Sequence, residues 1–212
     1  MANSPASLQQ NSLDLAAIIL AGGQSKRMGQ DKALIEANGM PMVQQICEVA
    51  QDCCPRVYVV TPWPERYRAI LPTGCQVIQE VRSPDAHQAP GPLVGFAQGL
   101  AQIQAQWVLL LACDLPLLRS EALRQWSTQL LEVKQETIAL LPKHPKGWEP
   151  LCGFYRASCL PSLQAFIDRG GRSFQKWLAG EQVEVLTVAN PQMLANCNTP
   201  ADLARLNDLP AS

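Results

Sequence analysis

A glycine-rich stretch near the start of the chain combines the residue types that a phosphate site needs. Residues 20–32 read LAGGQSKRMGQDK and follow an apolar run. Gly22 and Gly23 let the backbone approach a ligand closely and allow positive φ angles, so their N–H groups can form a concave anion site. Three basic side chains complete the stretch: Lys26, Arg27 and Lys32. This combination predicts a loop that binds the phosphates of a nucleotide.

The position of this stretch strengthens the prediction. A glycine turn flanked by solvated basic side chains is the alternative, and neither G-x-x-x-x-G-K-[ST] nor G-x-G-x-x-G fits the residues. However, the stretch directly follows the predicted strand 15–20, and ligands of parallel sheets collect at the carboxyl ends of strands.

An acidic residue follows the most apolar run of the chain. Residues 107–112 read WVLLLA and are followed by Cys113, Asp114, Leu115 and Pro116. A carboxylate at the end of a parallel strand faces the same crevice as the glycine loop, where it can hold Mg²⁺. The alternative is that Asp114 only ends the strand or caps a turn. The neighbouring phosphate loop favours the metal site.

The spacing of apolar residues predicts the elements that position these side chains. The predicted strands are 15–20, 56–61, 75–79, 107–112, 137–141, 149–156 and 183–188. The predicted helices are 41–50, 91–104, 120–133, 161–168, 173–179 and 200–206, with Ser120 as an N-cap and 142–148 as a polar loop. This alternation indicates an α/β fold, with a mostly parallel sheet and helices on both faces.

Composition bounds the class of protein. The 212 residues are 47% hydrophobic and 17% charged, which suits one globular domain over residues 15–212 after a flexible tail at 1–14. A net charge of −1 provides no basic field for nucleic acid, and the longest apolar run is too short to span a membrane. Eight cysteines without a C-x-x-C pair indicate buried thiols and a cytoplasmic location.

Five segments, in this order, resemble the molybdenum cofactor guanylyltransferase family. They are LAGGQSKRMGQDK at 20–32, GPLVG at 91–95, CDLP at 113–116, EPL at 149–151 and NCNTP at 196–200. The resemblance extends from about residue 15 to residue 206 and implies a Rossmann-like nucleotidyltransferase fold. It also implies transfer of GMP from GTP to molybdopterin with release of pyrophosphate, with Mg²⁺ as the cofactor.

The same resemblance assigns roles to individual residues. It implies backbone contacts to the nucleotide from Leu20, Ala21, Gly22 and Gly23, a phosphate contact from Lys32 and a Mg²⁺ ligand in Asp114. Thr61 and Glu80 stand near the positions where the family uses Asn and Asp to contact guanosine. Asn196 and Asn198 resemble residues at the edge of the site. No general base is expected, because the attacking phosphate of molybdopterin is already an anion.

Several alternatives stay open from the sequence. A cytidylyltransferase acting on molybdopterin, or a sugar-phosphate nucleotidyltransferase, would share most of these features, although Ala21-Gly22-Gly23 favours the guanylyl pattern. A nucleotide-binding regulator without activity is less consistent with the presence of Lys32 and Asp114. The 143–148 segment and Arg172 could face the acceptor or only solvent. Cofactor-insertion proteins or molybdoenzymes are further candidate partners.

Overall fold

A computed structural model describes residues 13–23, 31–81 and 91–207. Its strands are β1 (Leu15–Leu20), β2 (Glu36–Ala37), β3 (Met40–Pro41), β4 (Arg56–Thr61), β5 (Cys75–Gln79), β6 (Trp107–Ala112), β7 (Ala139–Leu141), β8 (Lys143–His144), β9 (Gly147–Trp148), β10 (Cys152–Arg156) and β11 (Val183–Val185). Its α-helices are α1 (Met42–Gln51), α2 (Pro64–Tyr67), α3 (Pro92–Leu100), α4 (Ser120–Thr128), α5 (Leu160–Asp168), α6 (Phe174–Leu178) and α7 (Pro200–Asn207). Short 3₁₀ turns occupy Lys32–Leu34, Gln129–Leu131, Ala157–Cys159 and Pro191–Leu194.

A mostly parallel sheet forms the centre of the described chain. Its strand order is β11-β7-β10-β6-β1-β4-β5, and β10 alone runs antiparallel to its neighbours. Two small hairpins, β2–β3 and β8–β9, lie outside this sheet. The predicted α/β class and mostly parallel sheet are therefore confirmed.

The two faces of the sheet carry separate cores. In β1, Leu15, Ala17 and Ile19 join the core that includes residues of α1 and α4. Ala16 and Ile18 point the other way and join the core that includes residues of α3, α5 and α6. Successive side chains of a strand alternate between faces, so burial of both faces requires an uninterrupted apolar strand. Burial on both faces therefore explains why these strands could be predicted from continuous apolar runs.

Helix ends were predicted less well than strand positions. The helix expected at 91–104 ends at Leu100, and the one expected at 120–133 ends at Thr128. Ile103 and Leu130 still pack into the cores from turns beyond those ends. The spacing of apolar residues in the sequence therefore continues past the last residue of each helix. Ser120 is the first residue of α4 and not its N-cap, and no side chain caps that helix.

Two strands and one loop also differ from expectation. The strand expected at 149–156 begins at Cys152, following Pro150, which has no N–H to donate to a ladder. The strand expected at 183–188 ends at Val185. Residues 142–148 are not an irregular loop, because Lys143–His144 pairs antiparallel with Gly147–Trp148.

The entry to the first strand is fixed by hydrogen bonds. The carbonyl of Asp14 accepts from the N–H groups of Gln106 and Trp107, both at 3.0 Å, and its carboxylate pairs with Arg56. Of the tail expected at 1–14, residues 1–12 lie outside the described residues. Within the described ranges, no helix is long and apolar enough to cross a membrane.

The cysteines are all free thiols in the described chain. Five are buried, and three are partly buried: Cys53, Cys75 and Cys113. The thiol of Cys53 lies between the end of α1 and α4. Hydrogen bonding from Cys54 lowers the pKa of Cys53 to about 7, helped by Ser127 and the charge of Arg124 and opposed by burial. Arg124 is itself held by an ion pair with Asp52 at 3.4 Å.

This environment predicts the order in which thiols react. We expect iodoacetamide to label Cys53 well before Cys113, since the thiolate is the reactive form and burial raises the pKa of Cys113. The Cys53 rate should fall as the pH drops below about 7, where its thiol becomes protonated. Peptide mass spectrometry over a pH series measures both rates, and Arg124→Gln should move the Cys53 profile to higher pH. Equal rates at Cys53 and Cys113 would contradict this account.

Candidate functional site

An ammonium group connects three distant segments at the carboxyl edge of the sheet. The Nζ of Lys32 donates to Asp114 Oδ2 at 2.9 Å and to Asn198 Oδ1. These partners lie 82 and 166 residues further along the chain. The side chains of Lys32 and Asp114 are only 16% and 17% exposed, so their attraction is less screened than that of a surface pair. Asp114 thus does more than end a strand.

The turn that carries Lys32 is fixed by the preceding carboxylate. Asp31 Oδ1 accepts from the N–H of Ala33 at 3.2 Å, and its Oδ2 accepts from the hydroxyl of Tyr67 at 2.6 Å. Arg66 lies 3.6 Å from the same carboxylate. Burial and this hydrogen bond to Asp31 raise the pKa of Tyr67, so its hydroxyl remains a donor at neutral pH. The sequence showed Asp31 within its motif but gave no reason to connect it to Tyr67.

A second carboxylate fixes the segment that carries Asn198. Asp202 Oδ2 accepts from the N–H groups of Asn198 and Thr199, at 3.0 and 2.9 Å. The hydroxyl of Thr199 accepts in return from the N–H of Asp202 at 3.2 Å, which is a capping box at the start of α7. Cys197 N–H also donates to the carbonyl of Asp114 at 3.0 Å. Asn198 is therefore tied both to its own helix and to the end of β6.

Gly22 is required by close packing and not by an unusual backbone angle. A Cβ at Gly22 would lie 2.8 Å from Cδ of Pro62 and 3.1 Å from Oε2 of Glu80. Neither Gly22 nor Gly23 adopts the positive φ that glycine permits. Glu80 is 9% exposed, and its carboxyl group also lies near Gly95 of α3. The structure thus brings Glu80 next to the glycine loop.

The other residues predicted to contact the nucleotide lie at the ends of strands, but not all of their side chains point into the site. Ala21 donates its N–H to the carbonyl of Val60 at 3.0 Å and so continues the sheet. Leu20 ends β1. Thr61 is completely buried, and its hydroxyl accepts from the N–H of Trp63 at 3.2 Å. Its side chain therefore supports the loop after β4.

Some sequence candidates lie elsewhere or outside the described residues. Asn196 is exposed and makes no hydrogen bond within the described ranges. Arg172 donates to the carbonyls of Ile167 and Gly171, which keeps its guanidinium beside α5. Two basic residues of the glycine-rich stretch, Lys26 and Arg27, lie outside the described residues.

One acidic residue near the site was not a candidate. Glu149 lies 3.8 Å from Nε2 of His144 and precedes β10. Burial raises the pKa of Glu149, and the charge of Asp114 adds to that effect, while His144 opposes it. The segment Glu149-Pro150-Leu151 was the sequence signal that could have pointed to this residue.

The oxygen donors at this edge suit a hard cation. The oxygens of Asp114 and Asn198 converge on one positive group, the ammonium of Lys32. Mg²⁺ is typically bound through one or two carboxylates together with substrate phosphates and water. A carboxylate, an amide oxygen and a lysine therefore fit a site that takes a metal with a triphosphate.

The fold and this edge define a nucleotide-using transferase. Residues 17–185 match the family model described as the MobA-like NTP transferase domain. A solved structure with the same fold is the molybdopterin-guanine dinucleotide biosynthesis protein A of Archaeoglobus fulgidus. It superposes with a TM-score of 0.70 at 23% identity, over 90% of this chain and 96% of the other.

Relatives with higher sequence identity to this chain identify its family within this class of transferases. A probable molybdenum cofactor guanylyltransferase of Nostoc sp. is 56% identical over 191 residues, covering 90% of this chain and 89% of the relative. One from Synechococcus elongatus is 41% identical, covering 90% and 96%. The chain belongs to the molybdenum cofactor guanylyltransferase family.

The two asparagines of the NCNTP segment provide a test of the geometry. We expect Asn198→Ala to lower turnover about tenfold or more, because it removes an oxygen that holds Lys32 beside Asp114. Asn196→Ala should have little effect, since that side chain is exposed and makes no hydrogen bond within the described residues. Steady-state pyrophosphate release from GTP compares the two. A larger loss in Asn196→Ala would show that the wrong asparagine has been placed in the site.

Proposed function

We propose that this protein transfers GMP from GTP to molybdopterin, releasing pyrophosphate and forming the guanine dinucleotide form of the cofactor. The observation that carries the proposal is the Lys32–Asp114–Asn198 cluster at the carboxyl edge of the sheet, in a chain of this family. Lysine, a carboxylate and an amide oxygen are the groups that binding and activating a triphosphate requires.

The nucleotide occupies the half of the edge that follows β1, β4 and β5. The glycine loop at Gly22 and Gly23 approaches the phosphates, and Lys32 lies at the end of the same stretch. Glu80, beside Gly22, is the acidic residue nearest the loop in this half and takes the ribose or base side of the nucleotide. Thr61 supports this side from beneath, since its side chain is buried.

Asp114, with Asn198 beside it, is the residue that would hold Mg²⁺. Bound there, the metal would offset negative charge on the triphosphate and on the leaving pyrophosphate. Lys32 pairs with Asp114 at 2.9 Å, so its ammonium group lies beside the proposed metal ligand. With a metal on Asp114, the charge of Lys32 would offset that of the triphosphate.

The reaction asks the protein for position and charge. A phosphate oxygen of molybdopterin attacks the α-phosphorus of GTP, a new P–O bond forms, and the bond to the pyrophosphate oxygen breaks. The attacking group is already an anion, so no proton has to be removed by a side chain. Lys32 and the loop hold the triphosphate in line, which supplies proximity and charge stabilisation.

Nucleotide selectivity tests the proposal directly. GTP with Mg²⁺ should stabilise the protein more than CTP, UTP or ATP. A ligand at 100 times its Kd adds about 2.7 kcal/mol, which corresponds to a rise in Tm of about 5–10 °C for a domain of this size. Thermal unfolding with each nucleotide measures the shifts. A larger shift with CTP would favour a cytidylyltransferase, and equal shifts with all four would contradict guanylyl selectivity.

The role of Asp114 can be separated from that of the glycine loop. We expect Asp114→Asn to lower guanylyl transfer by on the order of 10²-fold, because it keeps the shape and removes the charge that holds the metal. Binding of GTP without metal should persist. Transfer and GTP-induced thermal shifts, each measured across a Mg²⁺ titration, check both statements.

A neighbouring acidic residue provides the matched control. Glu121 is an exposed carboxylate in the first turn of α4, and within the described residues it makes no hydrogen bond or ion pair with Lys32, Asp114 or Asn198, so Glu121→Gln should leave transfer unchanged. Wild-type activity of Asp114→Asn at ordinary Mg²⁺ concentrations would place the metal site elsewhere.

A further inference from the structure

The carboxyl edge of the sheet has a second half, on the other side of β6 from the nucleotide residues. β10 and β7 lie there, and the β8–β9 hairpin connects them. Because β10 runs antiparallel to β6, its beginning lies beside the end of β6. The N–H of Ala112 donates to the carbonyl of Leu151 at 2.8 Å, which places the segment after the hairpin next to Asp114. Because the two segments are adjacent, the negative charge of Asp114 contributes to the raised pKa of Glu149.

One side-chain amide holds this hairpin in place. Nε2 of Gln175 donates to the carbonyl of Trp148 at 2.6 Å, and Oε1 of Gln175 accepts from the N–H of Trp148 at 3.1 Å. A single amide thus satisfies both backbone groups of Trp148, as a neighbouring strand would. Gly147 has φ +131°, and a Cβ there would lie 2.6 Å from Oε1 of Gln175. The contact leaves no room for a side chain at position 147.

The helix that carries Gln175 is firmly anchored. Phe174 and Trp177 of α6 are buried and pack with Tyr155, at ring-centroid distances of 6.2 and 6.1 Å. Ser173 caps the helix by accepting from the N–H of Lys176. Gln175 therefore connects the hairpin to a helix whose position is fixed by packing in the core.

The hairpin in turn positions a positive charge. Nζ of Lys143 lies 4.8 Å from the centre of the Trp148 ring, within cation–π distance, and the two residues face each other across the hairpin. Lys143 is exposed to solvent. The other lysine of the hairpin, Lys146, is also exposed and contacts no ring in the described chain. The structure thus distinguishes one lysine of the hairpin from the other.

We infer that this hairpin is the subsite for the phosphate of the acceptor, with Lys143 as its binding residue and Gln175 as a positioning residue that acts through Trp148. The inference rests on the proposed function. Two anionic groups, the acceptor phosphate and the α-phosphate, must meet in the reaction, and their repulsion is strong where water is partly excluded. Lys32 serves the triphosphate, and Lys143 offsets the charge of the acceptor from the opposite half of the edge.

Kinetics with both substrates test the subsite. We expect Lys143→Ala and Gln175→Ala each to raise the KM for molybdopterin about tenfold, since each loses or displaces one charged contact. The KM for GTP and the GTP-induced thermal shift should stay at wild-type values. Gly147→Ala should mimic Gln175→Ala, because its added methyl group would lie 2.6 Å from Oε1 of Gln175 and displace that amide from the backbone of Trp148.

Two matched substitutions control for general effects. Lys146→Ala removes the hairpin lysine that has no ring contact, and Gln164→Ala removes a glutamine whose hydrogen bond to Asp168 stays within α5. Neither should change the KM for molybdopterin. A direct readout is the binding of molybdopterin to the GTP-bound protein, followed by tryptophan fluorescence in wild type and in Lys143→Ala.

The outcomes separate the inference from the proposed function. A wild-type protein that binds GTP but transfers no GMP to molybdopterin would contradict the proposed function. An active wild type in which Lys143→Ala and Lys146→Ala have the same KM for molybdopterin would overturn the subsite alone. A parallel loss of GTP binding in Gln175→Ala would show that Gln175 supports the fold and does not position the acceptor.

Discussion

The site depends on one shared ammonium group. Lys32 comes from a turn after β1, Asp114 from the end of β6 and Asn198 from the segment before α7, and each is held by the others. Because the pair is partly buried, removing one partner leaves a charge with reduced access to water, which is costlier than the loss of a surface ion pair. The positions of the three segments therefore depend on one another.

Carboxylates that accept backbone N–H groups prepare each segment for this contact. Asp31 does so at the turn that carries Lys32, and Asp202 does so at the start of α7, next to Asn198. Such hydrogen bonds stabilise the charged form of a carboxylate and so lower the pKa of Asp202. Its contribution to stability is accordingly present above the ordinary pKa of an aspartate and is lost as the pH falls below it. Asp31 and Asp202 thus fix the backbone of the segments that carry Lys32 and Asn198.

The direction of β10, antiparallel to both of its neighbours in the central sheet, determines which segments lie at the carboxyl edge of β6. If β10 were parallel to β6, the segment before it would lie at the opposite end of the sheet. Its reversed direction instead brings residues 142–151 beside Asp114, across from the glycine loop. The edge therefore has one half beside the glycine loop and a second half whose hairpin is held by Gln175.

The sequence by itself determined the class of fold and the main members of the site. Strands buried on both faces must be apolar throughout, so Leu15–Leu20 and Trp107–Ala112 were legible without a structure. The glycine loop, Lys32 and Asp114 were predicted as site residues because phosphate and metal chemistry restricts residue types at strand ends. What only the tertiary structure decided depends on contacts between distant residues. The choice of Asn198 over Asn196, the support of Asp31 by Tyr67 and the clamp of Gln175 on Trp148 each join residues that no local pattern connects. Local periodicity records which side of an element is buried, whereas the partner of a polar group is set by how the elements pack.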